Sequence, residues 1–112
     1  MKMGTHRRAV TEAARNQFDS SFAMLETLAR VCPDDVWETV YNGSPFWYQV
    51  YHTAYFVDYW IREWYADAFE PLMRFDPRIP PEFEYDIKPG IVAPRGDMLR
   101  YLALLRDKTA RF

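Results

Sequence analysis

The chain has 112 residues, 49% of them hydrophobic and 18% aromatic, with a formal charge of -2 at neutral pH and a pI near 5.6. That length makes one domain able to bury roughly two thirds of its unfolded surface. An acidic balance with no basic run interleaved among exposed aromatics excludes a nucleic-acid footprint, and no apolar run approaches the roughly 20 residues of a membrane span.

The positive charges near the start, Lys2, His6, Arg7 and Arg8, are followed by Ala9-Val10-Thr11-Glu12 rather than an apolar stretch. They read as a solvated helix start and not as an export signal. Cys32, the single cysteine, rules out an intrachain disulfide and fits a reducing compartment. A cytoplasmic protein is expected.

From about Thr5 to Val31 the sequence is rich in Ala, Leu, Arg, Glu and Met and lacks internal Gly or Pro, which predicts a first long helix over residues 5 to 31. Phe18, Phe22, Leu25, Ala29 and Cys32 recur at four-three-four-three spacing, so this is its apolar face, with Arg15, Asp19, Glu26 and Arg30 off it. Cys32 then reads as a small buried hydrophobe rather than a reactive thiol. Pro33 stops the helix, and Asp34 or Asp35 is expected to cap a short turn through Val36-Trp37-Glu38 before Asn42-Gly43 breaks the chain again.

A second long helix is predicted over residues 45 to 66, with Ser44 as its cap and Pro45 in its first turn. Trp47, Val50, Ala54, Val57, Ile61 and Trp64 form its core stripe. Tyr48, His52, Tyr55 and Tyr59, with Phe56 beside them, form an aromatic stripe on nearly the opposite side. Only a narrow edge, with Asp58 and Arg62 four apart, reads as water-facing. A helix apolar on two sides needs cover on both, within a bundle or at a subunit contact.

From Asp67 to Arg95 six prolines forbid a long helix and no alternation marks a strand. Phe69, Leu72, Met73, Phe75, Phe83, Tyr85 and Ile87 make this stretch too apolar for a disordered linker, so a crossover packed as a lid over the helix ends is expected. A third long helix is predicted over residues 96 to 110, with Met98, Leu102, Leu105 and Thr109 on one face and Asp97 complementing the dipole in its first turn. The fold class is all-α, an antiparallel helical bundle with the first two long helices antiparallel. A catalytic serine triad finds no support: Ser20, Ser21 and Ser44 are explained as helix or cap residues, and Asp34-Asp35 as a turn.

Pro45-Phe46-Trp47 leading to Tyr51-His52-Thr53 and Asp58-Tyr59, preceded by a long helix and a Trp37 turn, resembles the DinB/YfiT-like family. So does the closing Met98-Leu99-Arg100-Tyr101-Leu102. The likeness spans the chain from about Phe18 onward. It implies an up-down-down-up four-helix bundle that binds a divalent metal of zinc or nickel type through three histidines. One sits on the second helix and two lie at H-x-x-x-H spacing on the fourth. His52 matches the first of these. The other histidine here, His6, lies at the opposite end, so the resemblance implies a metal site incomplete in this chain and a bundle with three of four long helices.

Two functions are open at this point. Completed by a fourth helix, a DinB-like metal-binding protein would act as a metal-dependent thiol transferase or hydrolase-type enzyme, with His52 as ligand and Tyr48, Tyr55 and Tyr59 lining the pocket. Taken without the family, a lone mid-helix histidine among tyrosines reads as a core residue. The chain would then be a non-catalytic bundle that binds a small apolar molecule or another protein. Either way a homodimer is expected, with the stripes of Tyr48, His52, Tyr55 and Tyr59 meeting around a two-fold axis, because an uncovered apolar face of that size is hard to tolerate.

Overall fold

The computed structural model describes residues 3–41, 43–61, 69–75, 78–79 and 91–111. Its elements in chain order are α1 (Met3–Val31), α2 (Asp34–Trp37), β1 (Val40–Tyr41), β2 (Ser44–Pro45), α3 (Phe46–Trp60) and α4 (Arg95–Arg111). The described part is mostly helical, with one hairpin of two two-residue strands and an irregular crossover before α4. None of its helices is long and apolar enough to cross a membrane.

The hairpin joins α2 to α3. Val40 pairs with Pro45 and Tyr41 with Ser44, and Gly43 supplies the turn with a φ of 87°, a left-handed value that glycine adopts without a Cβ penalty. This pairing overturns the expected cap. Ser44 is held in strand register, so Pro45 occupies the cap position of α3 without a side-chain hydrogen bond. The buried Ser44 Oγ has no hydrogen-bond partner. The first amide of α3, Phe46 N–H, instead donates to Thr39 O at 3.0 Å. Asp34 and Asp35 do not cap α2 either, since Pro33 stands at that position and its carbonyl accepts from the Val36 and Trp37 amides.

The helices pack through the residues their spacing marks. On α4, Met98, Leu102 and Leu105 are fully buried and Thr109 is nearly so. On α1, Phe22, Ala29 and Cys32 are buried and Leu25 packs against the core, but Phe18 is 39% exposed. Arg106 of α4 is level with Asp19 of α1, α4 ends at Arg111, and residues 4–21 of α1 are exposed.

Side-chain pairings give the directions. Arg95 meets Ala29 and Asp34 while Arg106 meets Glu26 and Asp19, so α4 runs opposite to α1. Tyr101 contacts Tyr51 and Lys108 contacts Asp58, so α3 and α4 run the same way.

Helix α3 departs from expectation at both ends and on one face. It ends at Trp60, and Ile61 turns out of it with ψ 73°; Arg62, Trp64 and the rest of the stretch to residue 66 lie outside the described residues. Trp47, Val50 and Ala54 are buried, yet so are Tyr48 and Asp58, both at 0% exposure. The aromatic flank is thus covered in part from within the chain: Phe69 lies edge-on to Tyr55 and Tyr59, and Phe75 to Tyr51. Ile79, Ile91 and Ala93 are also buried, with Met73, Phe75 and Val92 against the core. The described part of the crossover is a lid; Phe83, Tyr85 and Ile87 lie outside the described residues.

Candidate functional site

His52 sits half-buried in the middle of α3. Its imidazole stacks on Tyr48 at 6.3 Å with 17° between planes and meets the edge of Phe56 at 4.7 Å. Tyr48 in turn packs on Trp47 and Tyr51, while Tyr55 contacts Tyr51 and Tyr59 contacts Trp60. The structure therefore places the four expected site residues along one flank of α3, as the four-three-four spacing requires. Among the described residues, no group of three His, Cys, Asp or Glu side chains is placed to hold a metal ion. They do not supply the three protein ligands such a site needs.

Ionisable groups do converge nearby, at a position the sequence reading assigned to water. Asp58 falls four residues after Ala54 and seven after Tyr51, which puts it on the core side of α3. Its Oδ2 accepts from the Leu72 amide at 2.9 Å and from the Tyr101 hydroxyl at 2.9 Å. Its Oδ1 accepts from Lys108 Nζ at 2.5 Å. Lys108 also donates to the Asp58 main-chain carbonyl at 2.9 Å, one of the last-turn acceptors that an α-helix leaves without an internal donor. A single carboxylate and a single ammonium thus satisfy groups from α3, α4 and the crossover. Burial pushes the Tyr101 phenol far above its usual range, and the Asp58 charge and hydrogen bond add to this. Burial likewise raises Tyr51, with Tyr55, Tyr48 and Asp58 adding to it.

Two further polar ties were not anticipated. Arg95 donates to the Ala29 carbonyl and to Asp34 Oδ1 at 2.9 Å, with its guanidinium 4.8 Å above the Trp37 ring. It closes the C-terminal end of α1, where a cation also suits the helix dipole. Arg106 grips Asp19 at 2.6 Å and Glu26 at 3.5 Å. The hydrogen bond from Arg106 holds Asp19 below the usual carboxylate range, and Asp19 raises Arg106. These residues, with Ala103, Asp107 and Ala110, line an open depression of about 430 Å³.

Asp58 and Lys108 tie α3, α4 and the crossover together, and Arg106 ties α4 to α1 through Asp19 and Glu26. The carboxylate at Asp58 is enclosed and its oxygens are taken by three donors, one from the crossover and two from α4. Comparison with family models, with curated proteins and with solved structures found no match.

Proposed function

We propose that this chain is a non-catalytic helical interaction module with a DinB-like order of helices. One observation carries this reading. Among the described residues, the buried Asp58 carboxylate is spent on Tyr101 and Lys108, while large apolar side chains face outward. Met24, Leu28 and Val31 on α1 and Phe56 and Trp60 on α3 are 44 to 69% exposed. Exposed apolar surface gathered on helix faces marks an interaction site. The opposed run of α1 against α3 and α4 supports the up-down-down order that the resemblance implies.

A second reading keeps His52 as one ligand of a divalent ion of zinc or nickel type whose other ligands lie outside the described residues. The position of His52 on the flank of α3, beside Tyr48 and in line with Tyr55 and Tyr59, favours it. Metal analysis of tag-free protein separates the two. The module reading expects far less than one ion per chain and a melting temperature that added zinc or nickel and a chelator leave unchanged. One tightly held ion per chain that disappears in His52→Ala would contradict it.

A further inference from the structure

Helix α1 has three sides. One carries the core residues Phe22, Leu25 and Ala29. On a second lie Arg8, Glu12, Arg15, Asp19, Glu26 and Arg30, which include every charged residue from Arg8 to Arg30. The third, roughly opposite the charged strip at about 100° per residue, carries no charge from Ala9 to Val31. On it Val10 is 59%, Met24 68%, Leu28 48% and Val31 65% exposed. Ala14, Gln17 and Ser21 fill the positions between them and are exposed too. These residues follow one another at four-three-four-three-four-three spacing, the repeat of a helix that packs lengthwise on another helix.

We infer that this face pairs with the same face of a second copy, the two α1 helices running antiparallel. The inference rests on the interaction-module reading and names its partner. Charge selects the direction. The first turns of α1 are basic, with exposed Arg7 and Arg8; at its C-terminal end Arg30 is basic and Asp34 is paired with Arg95, which leaves exposed Asp35 and Glu38 just past it as the acidic groups. An antiparallel pair brings each basic end to the acidic end of the other copy; a parallel pair would set like charges together. The stripe is also self-complementary under a two-fold axis. With the axis level with Asp19, Val10 falls opposite Leu28 of the other copy, Ala14 opposite Met24, and Gln17 opposite Ser21. Small residues meet large ones, and the polar pair at the centre fixes the register.

Sedimentation velocity of the full, tag-free chain across the micromolar range tests this. A concentration-dependent dimer is expected, weakened by salt. Leu28→Glu should weaken it by at least about tenfold with unchanged helical content, since Leu28 is half exposed within the chain, and Trp60→Glu should leave it intact. Ala14→Cys and Met24→Cys proteins, mixed and oxidised, should link to each other and not to themselves. A monomer at all concentrations, a dimer that survives Leu28→Glu, one split by Trp60→Glu, or Met24→Cys linking to itself would each overturn the antiparallel α1 pair. None of these outcomes decides the metal question, which the ion count answers separately.

Discussion

Lys108 meets Asp58 twice, its ammonium 2.5 Å from the carboxylate and 2.9 Å from the main-chain carbonyl of the same residue. The pair closes the end of α3, anchors α4 beside it and, through Leu72, holds down the crossover. Taking two charges out of water is costly, and the arrangement persists because the carboxylate oxygens have donors and the ammonium has acceptors. Removing the cation alone should therefore be damaging. Lys108→Met is expected to cost about 3 to 5 kcal/mol in urea denaturation, as an unpaired buried charge does. Replacing both members with apolar residues should cost less than the sum of the single changes.

Tyr101 and Tyr51 make the fold sensitive to alkali. Both phenols are held protonated in the folded state, far above their usual pKa of about 10. The unfolded chain releases those protons first. Their contribution is fully present below about pH 10 and is lost as pH rises beyond it, at about 1.4 kcal/mol per pH unit for each group. Denaturation midpoints followed from pH 8 to 11 should show this decline, and Tyr101→Phe should lessen its slope. Absorbance at 295 nm should show two phenolates that appear only as the protein unfolds.

Arg95, whose side chain is largely covered, is expected to matter to the end of α1. Arg95→Ala leaves α1 carbonyls without their donor and removes the cation from Trp37, a loss of about 1 to 3 kcal/mol. Arg95→Lys should recover only part of it, because an ammonium lacks the planar fork that reaches Asp34 and α1 together. Faster hydrogen exchange confined to the last turn of α1 would accompany the change.

Asp19 adds an acid-side signature. Its pKa is held below the ordinary carboxylate value by Arg106, so its contribution is present above that value and is lost as pH falls through the lowered one. The melting temperature of Asp19→Asn should lie slightly below that of the wild type at pH 7. The difference should shrink as pH falls below about 3.9 and close once pH is under the lowered value. A gap that persists in acid would mean the carboxylate acts through packing instead.

Local periodicity made the long helices legible. The spacing of Met98, Leu102, Leu105 and Thr109 marked the buried face of α4, and Pro33 and Asn42-Gly43 marked the breaks. What it could not supply was cover from distant segments. Tyr48 and Tyr55 read as one exposed stripe because the residues that cover that flank, Phe69 among them, follow outside the helix. Asp58 was assigned to water because Arg62 stands four residues on, although its spacing from Tyr51 and Ala54 placed it on the core side. Its partners Tyr101 and Lys108 lie 43 and 50 residues away, and no helical repeat reaches that far. Ser44 failed as a cap for a related reason: the hairpin, a pairing between residues, took its backbone first.

Asp58 and Lys108 hold α3, α4 and the crossover together, and on the proposed reading that is all they do. Chemical denaturation of Asp58→Asn is the decisive test. Groups kept for catalysis or binding are commonly stabilising to replace, whereas a carboxylate that ties three segments is not. The expected result is a loss of about 3 to 5 kcal/mol, because Lys108 is left without its counter-charge, with an unchanged denaturant slope. A variant as stable as the wild type, or more stable, would contradict a structural role and mark Asp58 as a functional group.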